Sequence, residues 1–396
     1  MSQSDPRSPQ NASSESAGRV SREPELERED EPELEPPALD QMPREAVGED
    51  EHQRPQPAFE PVDADGPETD LSGDPDGGGG SPNEDLYGQM AQTIDKLRND
   101  NATRGDLKIL SRTLRELRYA FKVFRPFRRI RKLTVFGSAR TPPQDPAYQA
   151  TVELSRKIAG HGWMVITGAG GGIMAAGHEG AGREASMGLN IMLPFEQSAN
   201  EFIDGDPKLV TMKYFFTRKL MFVKECSGVV CMPGGFGTLD EALETLTLMQ
   251  TGKQVLMPLV LLDPPGGSYW KDLGRFIDRH LGGGGMISPE DTRMYKITDN
   301  VDEAIEETLN FYNVYHSMRY VRDRLVFRLK RKLSDEHLER LQDRFADILV
   351  SGSFQQTTAL PQERESELAD LPRLVFHFDR RHLGRLRILI DDINSV

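Results

Sequence analysis

The sequence predicts an α/β protein built on a doubly wound parallel sheet, and three observations predict it. From residue 133 onward, short apolar runs alternate with amphipathic stretches of helical length, the pattern of a sheet covered by helices on both faces. Three of those runs empty into turns rich in glycine or hydroxyl groups: Gly137-Ser138-Ala139-Arg140, Gly168-Ala169-Gly170-Gly171-Gly172 and Gly234-Gly235-Phe236-Gly237-Thr238. Right-handed crossovers bring all the strand ends to one edge, where sheets of this Rossmann-like kind bind ligands.

Taken in order, a helical segment over 87–131 precedes the sheet, and the helical pattern begins from Glu84. The first strand covers 133–136, followed by a helix near 146–159, a strand at 163–167 and a helix at 173–185. A strand at 189–193, a possible strand at 209–212, a helix around 215–225, a strand at 228–232 and a helix at 238–249 come next. A strand at 258–262, a helix at 269–281, a strand near 294–297 and a last helix at 301–315 complete the unit. Residues 132–315 thus form a Rossmann-like domain, and 316–396 a C-terminal extension of mixed character with apolar runs at 374–378 and 386–390.

Charge is divided unevenly along the 396 residues. Residues 1–86 hold 24 Asp and Glu against 6 Lys and Arg, a net of −18, with many Pro, Ser and Gly and few aliphatic side chains, which is the composition of a disordered acidic tail. Subtracting it from the whole-chain −14 leaves about +4 for 87–396, so the low isoelectric point describes the tail and not the ligand of the folded part. Arg112, Arg115, Arg118, Lys122, Arg125, Arg128, Arg129, Arg131 and Lys132 make a basic face before the first strand. A solvated helix face accounts for it, and nucleic acid is not the expected partner. The two cysteines, Cys226 and Cys231, have no histidine or third cysteine at metal-ligand spacing and read as buried thiols of a reducing compartment. With no apolar leader and no long apolar run, the expectation is a soluble, cytoplasmic protein.

The third glycine turn is the most informative. An apolar strand ending Val229-Val230-Cys231-Met232 opens through Pro233-Gly234-Gly235-Phe236-Gly237 into a helix beginning Thr238-Leu239-Asp240-Glu241. Backbone amides at such a junction hold phosphate, aided by the positive end of the helix dipole. Two acids in the same turn oppose that, unless they have separate work. The plain reading is a capping box with Thr238 as cap and Glu241 reaching back; otherwise either no phosphate binds or a carboxylate there has separate work. Upstream, Arg218 can clamp a phosphate or form a structural salt bridge. Asn190, Glu196, Asn200 and Glu201 surround the loop after the third strand, where hydrogen bonding within the loop is the plain expectation, and Thr247 is equally well a packed hydroxyl or a ligand contact.

Together, GSAR at 137–140, the turn at 168–172 with Ile173-Met174, Leu189-Asn190-Ile191 with Leu193-Pro194-Phe195-Glu196-Gln197, the stretch 214–219 and the stretch 233–241 resemble the Lonely Guy family, whose members include cytokinin riboside 5′-monophosphate phosphoribohydrolases and AMP nucleosidases. The likeness covers about residues 90–315 and leans toward the longer bacterial branch. It implies hydrolysis of the N-glycosidic bond of a nucleoside 5′-monophosphate to free base and ribose 5-phosphate, with no cofactor, in a homodimer or larger homo-oligomer. It also implies catalytic roles for Arg218 and Glu241. Ser138, Gly170, Gly171, Glu201, Lys219, Gly234, Gly235, Gly237, Thr238 and Thr247 would contact the nucleotide. The second turn departs from the family pattern, with Ala169, Gly171 and Ala175 where relatives carry a Gly-Gly-Gly-Pro-Gly type turn and a glutamate.

Overall fold

The computed structural model describes residues 83–193, 198–363 and 365–395. The acidic segment, apart from its last four residues, and Glu196 lie outside them.

Two helices come first, α1 (Glu84–Asn99) and α2 (Arg104–Phe124). Thr103 and Asp106 form a reciprocal capping box at the start of α2, which explains why the chain restarts a helix there after a short turn. Then follow β1 (Lys132–Phe136), α3 (Pro146–Gly160), β2 (Met164–Thr167), α4 (Ile173–Ala185), β3 (Ser186–Ile191), β4 (Leu209–Met212), α5 (Phe215–Glu225), β5 (Gly228–Cys231), α6 (Phe236–Gln250), β6 (Leu259–Leu262), α7 (Tyr269–Phe276), β7 (Lys296–Thr298) and α8 (Val301–Asn310). Asp145 caps α3 through the Ala147 amide with Pro146 in the first turn, and Asn300 caps α8 through the amides of Asp302 and Glu303.

The seven strands pair in the order β4-β3-β2-β1-β5-β6-β7, all parallel. Strands β1, β2, β5 and β6 are buried on both faces, which is why they read as unbroken apolar runs. The order reverses between β1 and β5, whose ends Phe136 and Cys231 lie side by side. At that switch the helices leave to opposite faces and a crevice opens at the strands' C-terminal ends.

Residues after α8 build a second sheet from β8 (Tyr315–Val321), β9 (Arg324–Leu329), β10 (Leu349–Thr357) and β11 (Arg373–Phe378), antiparallel in the order β10-β11-β9-β8, with α9 (Asp335–Phe345) and α10 (Leu383–Asn394). One apolar core serves both sheets, containing Leu133 and Val230 as well as Phe327 and Phe376. The joint is aromatic: Phe311, Tyr312, Tyr315 and Phe327 pack ring against ring, and Asn394 accepts from the amides of Val314 and Tyr315 at 2.8 and 2.9 Å.

Several boundaries differ from expectation. The helix expected over 301–315 ends at Asn310, because the apolar pattern after it belongs to this aromatic joint. The helix expected over 269–281 is α-helical only to Phe276 and widens into a π turn over Ile277–Gly282 ahead of a glycine run. The third strand runs Ser186–Ile191, earlier than 189–193, and the run 386–390 is helix, part of α10.

Candidate functional site

The crevice at the β1/β5 switch holds a cavity of about 550 Å³, within the usual range for small-ligand sites. Turns after three strands wall it. Ser138 and Gly137 follow β1, Gly168 and Gly170 follow β2, and Gly235, Gly237 and Thr238 lead from β5 into α6. The turns brace one another: Ser138 donates its amide to Pro233 O at 3.2 Å and accepts the amide of Ile173 at 3.0 Å. Side chains are excluded where the turns meet. At Gly172, φ is +60° and a Cβ would stand 2.3 Å from Ser138 O, while at Gly234 it would stand 2.1 Å from the Thr238 hydroxyl. Gly235 and Gly237, by contrast, face open space.

Helix α6 begins at Phe236 with Gly235 as its cap, two residues before the expected start. The capping box is therefore not formed. Thr238 lies inside the first turn, its amide bonded to Gly235 O at 3.0 Å, and Glu241 lies in the second turn, its carboxyl free to face the cavity. The amides of Phe236 and Gly237 have no acceptor within the helix. The two acids of this turn part company. Asp240 is exposed and pairs with Lys219 at 2.9 Å, whereas Glu241 is 6% exposed and lines the cavity.

Arg218 lines the cavity from α5, its guanidinium carbon 5.1 Å from the Phe215 ring centre and 5.7 Å from that of Phe222. Its Nη2 stands 4.0 Å from Glu241 Oε1, too far for a hydrogen bond, and its buried Nε has no hydrogen-bond partner among the described residues. Burial dominates both charges: it lowers the arginine's pKa and pushes the Glu241 carboxyl up to about 7 despite the nearby Lys219 and Arg218 cations. The remaining wall is mostly apolar, with Met174, Ile191, Phe215 and Leu193, plus the polar Asn190 and the cationic Arg140.

Seven expected site residues thus line one cavity: Ser138, Gly170, Arg218, Gly235, Gly237, Thr238 and Glu241. Gly171 and Gly234 lie in its turns without lining it. Three others stand apart. Lys219 is held by Asp240 and by Glu244 at 2.6 Å, Glu201 is exposed, and Thr247 is exposed with its hydroxyl bonded to Leu243 O of its own helix at 2.8 Å. Met174 and Phe215, which the sequence motifs contain but which were not expected as site residues, complete the apolar wall.

Much of the basic face before β1 is occupied locally. Arg112 bonds Glu116 at 2.7 Å, Arg129 pairs with Glu367, Arg131 stacks 3.5 Å from the Tyr312 ring centre, and Lys132 donates to Phe127 O and Ile130 O. Among the described residues no helix is long and apolar enough to cross a membrane, and both cysteines are free thiols.

A family model described as "Possible lysine decarboxylase" matches residues 171–308. A cytokinin riboside 5′-monophosphate phosphoribohydrolase of Mycobacterium tuberculosis is 27% identical over 169 residues, 42% of this chain and 88% of the relative. A probable enzyme of the same name from Oryza sativa is 30% identical over 172 residues, 42% of this chain and 66% of its own, and one from Arabidopsis thaliana is 25% identical over 184 residues, 45% and 81% of the two chains. With the glycine turns, the arginine of α5 and the glutamate of α6 gathered in one crevice, the chain is similar to the Lonely Guy family of phosphoribohydrolases over the part these matches cover.

Proposed function

We propose that this protein hydrolyses the N-glycosidic bond of a nucleoside 5′-monophosphate of the AMP or cytokinin riboside monophosphate type, releasing the base and ribose 5-phosphate. The observation that carries this reading is Glu241: a buried carboxylate with a pKa near 7, set beside amides suited to phosphate.

The phosphate rests against the amides at the start of α6, with Gly170 and Ser138 opposite. The C1′–N bond then breaks, its electron pair leaving with the base, which takes up a proton from solvent, while water oxygen bonds to C1′ and gives its proton to Glu241, which returns it to solvent. Positive charge develops on the sugar as the base departs, so a neighbouring carboxylate stabilises the transition state more than the ground state. A base with a pKa near the working pH suits the proton transfer. Arg218, whose Nε is unpaired, orients the nucleotide through that donor.

A decarboxylase of the pyridoxal type needs a lysine facing its cofactor, and no lysine stands among the residues lining the cavity. Exposed Phe215, Phe216 and Leu220 on α5, with Leu243 and the 92% exposed Phe236 on α6, support self-association beside the cleft, in a cytoplasmic protein. Incubation of the purified protein with a panel of nucleoside monophosphates, with free base measured by chromatography, tests the reading. Base and ribose 5-phosphate in equal amounts are expected; nucleotide binding without release would make the protein a nucleotide-binding regulator instead.

A further inference from the structure

Behind the second glycine turn lies a polar network that the proposed chemistry does not use. His178, on α4, is fully buried. Its Nε2 stands 3.0 Å from the carbonyl of Met187 and 3.1 Å from the Thr167 hydroxyl, and its Nδ1 stands 3.2 Å from Nδ2 of Asn200. Asn200 also donates Nδ2 to Gly170 O at 2.9 Å, and its backbone amide to Ala169 O at 2.8 Å. The Ala169 amide in turn donates to the Thr167 hydroxyl at 3.0 Å.

The proton positions follow from these partners. A carbonyl only accepts, so Nε2 carries the hydrogen toward Met187 O, and in the neutral ring Nδ1 is left as an acceptor. The Asn200 amide then spends one hydrogen on Nδ1 and the other on Gly170 O, which fixes its orientation. Burial lowers the pKa of the imidazole, although hydrogen bonds to Met187 and Asn200 and the charge of Asp206 act the other way.

What the network holds is strained. Ala169 is fully buried at φ +60°, in the left-handed region that a residue with a Cβ disfavours, and such conformations persist only where the surroundings over-determine them. Its neighbours Gly168 and Gly170 line the cavity, and Gly168 lies across from Arg218, whose Nη1 would be 3.8 Å from a Cβ placed there.

We infer that Asn200 and His178 are positioning residues: His178 orients the Asn200 amide, and Asn200 fixes the 168–172 turn that forms the cavity wall facing Arg218. The kinetic part of this inference rests on the proposed nucleosidase reading; the structural part does not. The test compares full-length wild type with Asn200→Ala, His178→Ala and His178→Gln by amide hydrogen exchange over 168–172, thermal denaturation and base release from AMP. Asn200→Ala and His178→Ala should speed exchange in the turn at least about tenfold, with the rest of the sheet unchanged, and raise KM by up to about a hundredfold with kcat altered much less. His178→Gln, which keeps an adjacent donor and acceptor, should restore both readouts most of the way. Unchanged exchange in the turn of a folded Asn200→Ala protein would overturn the inference, and so would a lowered melting temperature with the kinetic constants per folded molecule intact. A wild type that releases no base refutes the nucleosidase reading alone, since the exchange comparison still decides whether the pair holds the turn.

Discussion

Two buried arginine–glutamate groups in this molecule share their chemistry and behave in opposite ways. In the C-terminal sheet, Glu363 accepts from Arg328 at 3.0 and 3.1 Å and from Arg373 at 2.9 Å, and the Leu360 amide adds a further bond at 3.0 Å. Burial would raise the pKa of Glu363, but those hydrogen bonds and charges overcome it and hold the carboxyl below its ordinary value. In the crevice, Glu241 is also buried, yet its arginine stays 4.0 Å away and no hydrogen bond among the described residues offsets the lost hydration, so its pKa climbs to about 7. The first group is a structural contact in which the carboxylate itself is satisfied, although Arg373 Nη2 has no hydrogen-bond partner among the described residues. The second is left incomplete at a cavity, which is the state expected of groups whose partner is a substrate.

The largest effect should come from breaking the crevice group. Glu241→Gln keeps the shape and removes the proton acceptor, and base release should fall about 10³- to 10⁴-fold, read by single-turnover chromatography. Arg218→Ala should cost somewhat less, on the order of 10²- to 10³-fold, because it removes an orienting donor and leaves the base in place. Breaking the structural group should act on stability and not on chemistry. Glu363→Ala leaves Arg373 in the core without its carboxylate and Arg328 with Glu365 alone, and should destabilise by about 3 kcal/mol, seen in urea denaturation.

The smallest predicted effect has the opposite sign. A raised folded-state pKa means that the folded chain binds the Glu241 proton more tightly than the unfolded chain does. Glu241 therefore costs nothing below the unfolded value of 4.5, and its cost grows as pH rises toward about 7 and is complete above it. Glu241→Gln should thus stabilise the protein at pH 8 by roughly 2 kcal/mol and change little at pH 4.5. The same titration predicts that turnover by the wild type rises with pH and levels off above about 7.

The parallel sheet was largely legible in the sequence because strands buried on both faces read as short apolar runs between helices. The crevice was legible for a related reason: glycine turns after β1, β2 and β5 are local signals, and the α/β topology alone carries them to one edge. The start of α6 was misread because Thr238-Leu239-Asp240-Glu241 has the pattern of a capping box, while the backbone at Gly235 already sets the helix going. Frames of the C-terminal sheet were harder to read. Strand β10, sequence LVSGSFQQT, is mostly exposed and lacks a clean alternation, and the apolar run in α10 includes Arg387, which is buried against Glu307 and Asp391. Asn200 and His178 gave no sequence signal of their partnership, since they lie 22 residues apart on different elements.

The account turns on Glu241 being a group that stability would discard and function retains. Thermal denaturation at pH 8 and base release from AMP, measured on the same preparations of wild type and Glu241→Gln, test that directly. A variant that melts higher and releases no base is the predicted result; one that melts lower, or that still releases base at the wild-type rate, would contradict it.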